Sequence, residues 1–311
     1  IFFNIFSFFN EDFLELHFID VGQGDSLLIR TGEGDYLMDT GGSFLSSFDI
    51  GKNITLPYLE KNGVRNLQAV FISHFHEDHS QGLLALLDNV GIERIIASYY
   101  PKEEMAREIK VREIPLHILT AGNRLRLGKD LSMDIVWPKK ESEGFYNENN
   151  MSLVALLTSR NFKLLLTGDL EKEGEVQLSP SLARVHMLKV PHHSSPTSSS
   201  EELLQSLRPK YGIIPVGRNN MYGHPGEDVL SRYKDVGTEI YRSDENGLIL
   251  VRTDGNSLEI KSFLEKGEKR SLGLGEFIDR YLFELIFYIL ILLLSYIFIR
   301  IGNRGGCRNE L

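Results

Sequence analysis

The stretch Ile72–Gly82, ISHFHEDHSQG, carries three histidines and two carboxylates within six consecutive positions. It follows LQAVFIS (67–73), an apolar run typical of a buried β-strand. The candidate ligands are His74, His76, Asp78 and His79. Imidazole nitrogens and carboxylate oxygens suit zinc or a similar divalent ion. Because four ligands in six positions cannot close on one tetrahedral ion without strain, the spacing predicts two neighbouring ions.

Further ligand-type residues follow apolar, strand-like runs elsewhere in the chain. They are Asp39 in YLMDTGG, Asp169 in LLLTGD, the pair His192-His193 in VPHHSS, and His224 in YGHPGE. An α/β scaffold builds a site where several strand ends converge on one rim. We therefore expect these residues to meet the histidine cluster, with Asp169 placed to bridge two ions.

Strand-like runs dominate residues 13–263, and short helical segments lie between them. MSLVALLTS and FKLLLTGD predict a hairpin around Arg160-Asn161, and GLILVRTDGNSLEIKSF predicts a closing hairpin. SSEELLQSLRP predicts a helix with a serine cap, and EDVLSRYKDVG predicts a helix that ends at Gly237. Hairpins at both ends favour a mixed α/β (α+β) domain over a purely parallel doubly wound sheet.

The remaining segments extend the domain at both ends. Residues 1–12 are an apolar N-terminal remnant, too short to span a bilayer. Residues 264–280 are charged and Gly-rich, as a linker would be. Residues 281–301 are almost wholly apolar and reach the length of about 20 residues that a membrane helix needs. A buried core helix is the alternative, but such helices are rarely apolar on every face. A basic tail, 302–311, completes the chain, and basic residues on both sides of the helix leave its orientation open.

Bulk properties narrow the function. The net charge of -9 argues against a protein that coats nucleic acid through its overall field. The single cysteine, Cys307, allows no internal disulfide. Cationic candidates for a local nucleic-acid surface are Lys189, Arg160, Arg218, Arg124 and Arg126.

The order of the ligand-type residues resembles the metallo-β-lactamase superfamily over about residues 13–262. HFIDVGQGDSLLIR, NNMSLVALL, LLLTGDLEKEGE, LKVPHHSS and YGHPGEDVL look like one branch, the C-terminal hydrolase domain of competence DNA-internalisation (ComEC-type) proteins. Phosphorylcholine esterases of the superfamily look similar around the last histidines. The resemblance implies a four-layer αββα sandwich, followed here by the predicted transmembrane helix.

The same resemblance implies a site with two divalent ions, Zn²⁺ or Mn²⁺. The first ion would be held by His74, His76 and Asp169, and the second by Asp78, His79, Asp169 and His224. A water shared by the two ions would lose a proton and act as the nucleophile. Asp39 is expected to support the histidine loop through a hydrogen bond to a ligand rather than to bind metal.

The same resemblance implies roles for other residues. Asp78, Asp169 and His193 are the expected catalytic residues, and Asn150, His192, Ser194 and Tyr222 are the expected substrate contacts. One of His192 and His193 would complete the first ion's shell and the other would protonate the leaving group; a purely structural pair is the alternative. Asn149-Asn150 stands where many superfamily members have a histidine ligand, so the first ion is held with fewer ligands or His193 partly replaces the missing group. Competence proteins often carry Asp where this chain has His76. The first metal position is therefore more complete here than in those proteins, which favours activity.

The resemblance implies a metal-dependent hydrolase, with DNA as the leading substrate during uptake across the envelope. A membrane-anchored phosphodiesterase or esterase that acts on an envelope polymer or a small ester is one alternative. A non-catalytic metal-binding module of a DNA-uptake channel is the other. The expected partners are DNA, the membrane and a multi-pass channel protein, with the hydrolase domain on the extracytoplasmic side of the cell membrane.

Overall fold

The computed structural model describes residues 13–43, 48–142 and 147–264. These residues belong to one compact unit, Ile1–Lys266. The strands are β1 (Leu14–Phe18), β2 (Ser26–Thr31), β3 (Gly34–Thr40), β4 (Asn66–Leu67), β5 (Ala69–Ile72), β6 (Gly91–Ile92), β7 (Ile95–Ala97), β8 (Leu116–Ile118), β9 (Arg124–Gly128), β10 (Leu131–Trp137), β11 (Val154–Ser159), β12 (Phe162–Leu166), β13 (Met187–Lys189), β14 (Tyr211–Ile214), β15 (Glu239–Arg242), β16 (Ile249–Thr253) and β17 (Leu258–Ser262). The helices are α1 (Leu56–Lys61), α2 (Glu77–Ser80), α3 (Leu83–Leu87), α4 (Glu103–Val111), α5 (Lys172–Leu178), α6 (Glu201–Leu207), α7 (Glu227–Asp235) and α8 (Ser243–Asn246).

Most strands form two large sheets, and β4 and β6 form a small separate pair. The order across the first sheet is β17-β16-β1-β2-β3-β5-β7-β8, and across the second it is β15-β14-β13-β12-β11-β10-β9. The first sheet is antiparallel from β17 to β3 and parallel from β3 to β8. The second sheet is antiparallel from β9 to β12 and parallel from β12 to β15. Each sheet therefore combines both patterns, which confirms the prediction of a mixed α/β domain.

Alternation of side chains along the strands divides the apolar residues between two faces. In β5, Ala69 and Phe71 pack between the sheets, whereas Val70 and Ile72 face the opposite side. In β12, Leu164 packs between the sheets. Successive strand residues point to opposite faces, so an apolar run is buried on both sides only if both faces are covered.

Helices cover both outer faces. α1, α3 and α4 pack on the first sheet through residues such as Leu59, Leu86 and Ile109. α5, α6 and α7 pack on the second sheet, where Leu203 and Tyr233 are fully buried. The layers are therefore helix, sheet, sheet and helix, which confirms the four-layer sandwich.

Several local predictions are confirmed. β11 and β12 pair as an antiparallel hairpin around Arg160-Asn161, and β16 and β17 form the closing hairpin. The Ser200 hydroxyl caps α6 by accepting a hydrogen bond from the Leu203 amide at 3.3 Å. α4 is not among the predicted helices, because it has nine residues and its contacts with the core of the first sheet come from one pair, Met105 and Ile109.

The predicted N-terminal remnant (1–12), the linker beyond residue 264, the membrane helix (281–301) and the basic tail (302–311) lie outside the described residues. Within the described ranges, every helix is too short or too polar to cross a membrane. The predicted domain boundaries remain predictions.

A buried carboxylate joins α5 to the loop that precedes α6. Glu175 is fully buried, and its two oxygens accept hydrogen bonds from the backbone amides of Ser199 and Ser200 at 2.6 and 2.7 Å. The loop held in this way starts with the predicted site residues His192 and His193.

Replacing Glu175 with Gln is expected to lower the free energy of unfolding by about 1–3 kcal/mol, because the amide would turn one N–H group toward a backbone N–H donor. Chemical denaturation measures the change. The control is Glu60→Gln on the exposed side of α1, which should stay within about 0.5 kcal/mol of the wild type. Equal losses in the two variants would contradict the assignment.

Candidate metal centre

Parallel strands bring the predicted ligands to one edge of the sandwich. Asp39 lies at the end of β3, and the histidine loop begins directly after β5. Asp169 follows β12 and His193 follows β13. Neighbouring parallel strands end at the same edge of a sheet, so each sheet contributes polar side chains there.

Asp39 anchors the histidine loop. Its carboxylate accepts hydrogen bonds from the Ser73 amide and from the Ser73 hydroxyl, both at 2.7 Å. The same carboxylate lies 2.9 Å from His79 Nδ1. Asp39 therefore contacts the Nδ1 side of the His79 ring and leaves Nε2 free to bind an ion.

Four residues form the largest cluster of ligand-type groups among the described residues: Asp78, His79, Asp169 and His193. One ligand atom from each lies within 4.8 Å of all the others. His79 Nε2 is 3.2 Å from Asp169 Oδ1, and His193 Nε2 is 3.4 Å from Asp78 Oδ2 and 3.5 Å from Asp169 Oδ2. The sequence predicted three of these as metal ligands and placed His193 among the catalytic residues.

The cluster has the donors that a divalent ion needs. His193 Nδ1 lies 2.8 Å from the Pro215 carbonyl oxygen, to which it can donate its proton, so Nε2 keeps its lone pair. The Nε2 atoms of His79 and His193 and the Oδ1 atom of Asp169 are buried without a hydrogen bond. Buried polar atoms are almost always satisfied, and a shared cation would satisfy all three. The residues therefore fit a divalent metal ion.

His74 and His76 lie beside this cluster. His74 is fully buried, with Nε2 3.1 Å from His76 Nδ1 and 4.0 Å from Asp169 Oδ2. The Nδ1 atom of His74 is 3.1 Å from the Ser73 hydroxyl. His76 is about half exposed, and its Nε2 atom lies 3.8 Å from Glu148 Oε2. Asp169 thus stands between the two groups of histidines, where a bridging carboxylate would have to be.

His192, His224 and Tyr222 line the more open side of the centre. The rings of His192 and His224 meet edge to face with centroids 5.8 Å apart, and Tyr222 stacks on His224, also at 5.8 Å. His192 Nε2 is 3.7 Å from Asp169 Oδ2. The predicted ligation by His224 remains a prediction, because the four-residue cluster contains His193 and not His224.

The backbone around the histidine pair is unusual. His192, His193 and Ser194 have φ values of 48°, 51° and 66°. The left-handed region is unfavourable for residues with a side chain, and three in succession persist only where the surroundings hold them. The conformation turns both imidazoles toward Asp169.

Charges inside the centre shift the ionisation of its members. Burial would lower the pKa of His79, but the carboxylates, Asp169 above all, outweigh it and hold this pKa well above its usual value. Burial would raise the pKa of Asp169, but His79 and His193 outweigh it and hold that pKa well below the usual range. Burial lowers the pKa of His224 to about 4, with help from the charges of His193 and His192. The interior of the centre therefore attracts cations, and metal ions would displace protons from its histidines.

The structure places two predicted substrate contacts inside the protein. Asn150 is buried: its Oδ1 atom accepts hydrogen bonds from the amides of Glu171 and Gly174 at 2.9 and 3.3 Å, and its amide group donates to Glu173 at 2.8 Å. Ser194 is fully buried. Burial and satisfied hydrogen bonds argue that Asn150 supports the chain turn rather than a substrate.

The cationic candidates are also dispersed. Lys189 is buried beneath the centre and cannot contact DNA, which corrects that interpretation. Arg160 lies in the turn before β12, at the end of that strand opposite to Asp169. Arg124 and Arg126 lie on the edge strand β9, where Arg124 pairs with Asp134 of the neighbouring strand β10. Arg218 remains, as an exposed residue of the loop that carries Tyr222.

Sequence reasoning missed the group beneath the centre, Asp25 and Lys189. Their side chains are in direct contact, and Asp25 Oδ1 lies 3.5 Å from His193 Nδ1. Gly24, before Asp25, has φ 141°, and a Cβ atom there would lie 2.3 Å from the Asp78 carbonyl oxygen. The signal was the glycine spacing in GQGD, which the sequence alone explains equally well as a hairpin turn.

Comparisons with known proteins agree with this architecture. Residues 19–218 match the family model of the Metallo-beta-lactamase superfamily. ComE operon protein 3 of Bacillus subtilis is 32% identical over 258 residues, which cover 76% of this chain and 33% of that protein. Competence protein ComA of Neisseria gonorrhoeae is 30% identical over 235 residues, which cover 74% of this chain and 31% of that protein.

A solved structure shows the same fold. CmlA, a diiron beta-hydroxylase from Streptomyces venezuelae, superposes with a TM-score of 0.50 at 12% identity and covers 74% of this chain and 52% of that one. The chain spans about a third of the length of the curated relatives it matches. The family match covers more than half of the sequence, and the chain therefore belongs to the metallo-beta-lactamase superfamily, in which it is similar to competence proteins.

Proposed function

We propose that this chain is a metal-dependent phosphodiesterase that hydrolyses DNA during uptake. The observation that carries the proposal is the cluster of Asp78, His79, Asp169 and His193. The Nε2 atoms of His79 and His193 and the Oδ1 atom of Asp169 are buried there without a hydrogen bond. The similarity to competence proteins favours DNA over other esters, because the cluster by itself does not select a substrate.

Two divalent ions are the proposed cofactors. His74, His76 and Asp169 would hold one, and Asp78, His79, Asp169 and His193 the other, with His224 as a further candidate. When bound, such ions lower the pKa of a coordinated water and draw charge from a phosphoryl oxygen. The residues present fit either Zn²⁺ or Mn²⁺, since histidine and carboxylate ligands suit both.

The protein's own groups would orient the reaction. Asp39 and the Pro215 carbonyl contact the Nδ1 atoms of His79 and His193, so both rings would keep a fixed orientation while substrates exchange. His192 lies 3.7 Å from Asp169 on the open side and is our candidate to protonate the leaving group.

Tyr222 is our candidate substrate contact. Its side chain is 52% exposed. Partial burial, helped by the charge of Asp78, raises its pKa, so the phenol keeps its proton and can donate to a phosphoryl oxygen. Arg218 lies on the same loop and could contact a neighbouring phosphate.

The cellular setting is part of the proposal. The predicted helix at 281–301 would tether the domain to the cell membrane, with the domain on the extracytoplasmic side and a multi-pass uptake channel as partner. This setting would place the centre where incoming DNA arrives.

The His79→Ala variant is expected to hydrolyse bis-p-nitrophenyl phosphate more than roughly 100-fold more slowly than the wild type. Removing a metal ligand should cost more than removing a residue that only hydrogen-bonds to a ligand. The assay is run with Mn²⁺ and with Zn²⁺. His117→Ala, on the exposed face of β8, is the matched control and should retain the wild-type rate. A wild-type protein that binds metal without hydrolysing the ester would instead support a non-catalytic module.

Asp39→Asn should weaken metal binding by about 10–100-fold, since an amide nitrogen would face donors that the carboxylate now accepts from. Calorimetric titration with Zn²⁺ measures the affinity. Asp130→Asn, at an exposed ion pair with Arg160, is the control. An unchanged affinity in Asp39→Asn would remove Asp39 from the support of the centre.

The choice of substrate is tested with two esters. Single-stranded DNA should be cleaved in the presence of Mn²⁺, and a choline phosphodiester should be cleaved far more slowly at the same enzyme concentration. Gel analysis of labelled DNA and choline release measure the two rates. If the choline ester is cleaved and DNA is ignored, the nuclease proposal is wrong and an envelope or small-ester hydrolase takes its place.

A further inference from the structure

The buried lysine beneath the centre has no part in the proposed chemistry. Lys189 is the last residue of β13, and its neighbour two positions earlier, Met187, packs between the sheets. Strand alternation sends the Lys189 side chain in the same direction, into the top of the core. The residue is 4% exposed, and a lysine is almost never buried to this degree without a partner.

The ammonium group of Lys189 has two bonding partners and lies near a third oxygen atom. It contacts Asp25 Oδ2, lies 2.8 Å from the Gly168 carbonyl oxygen and faces Asp169 Oδ1 at 3.6 Å. Asp25 directly precedes β2 in the first sheet, whereas Lys189 belongs to the second. The contact therefore joins the two sheets under the centre.

Both partners of Lys189 reach the candidate ligands. Gly168 directly precedes Asp169 and has a φ of 52°. A Cβ atom added at this position would lie 2.7 Å from the Ser73 side chain, so this turn has little freedom. Asp25 Oδ2 lies 3.7 Å from His79 Nδ1, and Asp25 Oδ1 lies 3.5 Å from His193 Nδ1. Holding Lys189 and Asp25 in place therefore restricts the position of the Asp169 carboxylate. It also restricts the orientation of the His79 and His193 rings.

Charge explains why a cation is needed there. Asp25, Asp39 and Asp169 are all buried, and a second ligand-type group, Asp25 with Asp39 and His79, lies directly under the first. Buried carboxylates without a counter-charge are strongly unfavourable. The lysine ammonium already contacts the Asp25 member of that second group, so no further metal ion is required at this level.

We propose that Lys189 is a positioning residue: its ammonium, paired with Asp25, is a resident cation that holds Asp169 and His193 in their binding arrangement before metal ions arrive. The proposal rests on the proposed metal-dependent function. It predicts that the lysine matters most when the metal ions are absent.

The test compares thermal unfolding of Lys189→Met in chelator with the wild type. The midpoint of metal-free Lys189→Met should fall by roughly 10 °C, because Asp25 is left buried and unpaired. The control is Lys163→Met, a lysine-to-methionine change on β12 at a partly exposed site of the same sheet, which should fall by no more than roughly 2 °C. Equal losses in the two variants overturn the proposal.

Two further measurements separate a resident cation from ordinary packing. With saturating Mn²⁺ or Zn²⁺, the loss in Lys189→Met should shrink by at least about half, since divalent ions then balance the carboxylates; the same loss with and without metal overturns the proposal. The double variant Asp25→Asn/Lys189→Met should lose less than the sum of the two single variants. If Lys189→Met does not fold, folding of the double variant supports the pairing and its failure to fold overturns it.

The outcomes for the site and for the lysine are separable. Wild-type protein that binds neither Mn²⁺ nor Zn²⁺ overturns the proposed function, whereas the metal-free comparison of the single and double variants decides the Lys189–Asp25 pairing without any hydrolysis assay.

Discussion

The burial of carboxylate charge at one edge of the sandwich is the constraint on which the rest of the centre depends. Asp25, Asp39 and Asp169 are each at most 6% exposed. Negative charge in such a place persists only with hydrogen bonds and cations beside it. Asp39 has Ser73 and His79, Asp25 has Lys189, and Asp169 has two histidines and the lysine.

The loops beside these carboxylates approach each other closely. Gly24 lets the loop before β2 approach the Asp78 carbonyl, and at Gly42 a Cβ atom would lie 1.8 Å from the Glu77 carbonyl oxygen. The close backbone approach excludes water and keeps the carboxylates near their partners. Glycine is required at these points because any side chain would separate the loops.

The fold could be predicted from the sequence wherever local pattern and tertiary contact agree. The hairpin around Arg160-Asn161 has turn residues between two apolar runs, and α6 begins at a serine that caps it in the structure. The histidine loop could be predicted because its ligand-type residues lie close together in the sequence. α4 could not be predicted because it is short and its apolar face rests on one i, i+4 pair, Met105 and Ile109.

The contact between Asp25 and Lys189 could not be predicted, because it joins residues that are far apart in the sequence. Asp25 and Lys189 are separated by 164 positions in the chain and are adjacent only when the two sheets pack. A lysine at the end of an apolar strand looks like an exposed residue in sequence, and only the opposite sheet reveals its partner. For His193 the sequence left open a ligand role and a catalytic role, because neither its left-handed backbone nor the Pro215 carbonyl behind it can be inferred from neighbouring residues.

The candidate ligands come from both sheets, with His79 following β5 of the first and with Asp169 and His193 following β12 and β13 of the second. An ion that binds only the closed arrangement stabilises it in proportion to its affinity. Binding of a metal ion and packing of the two sheets would therefore be linked, and separation of the sheets along this edge would release a bound ion.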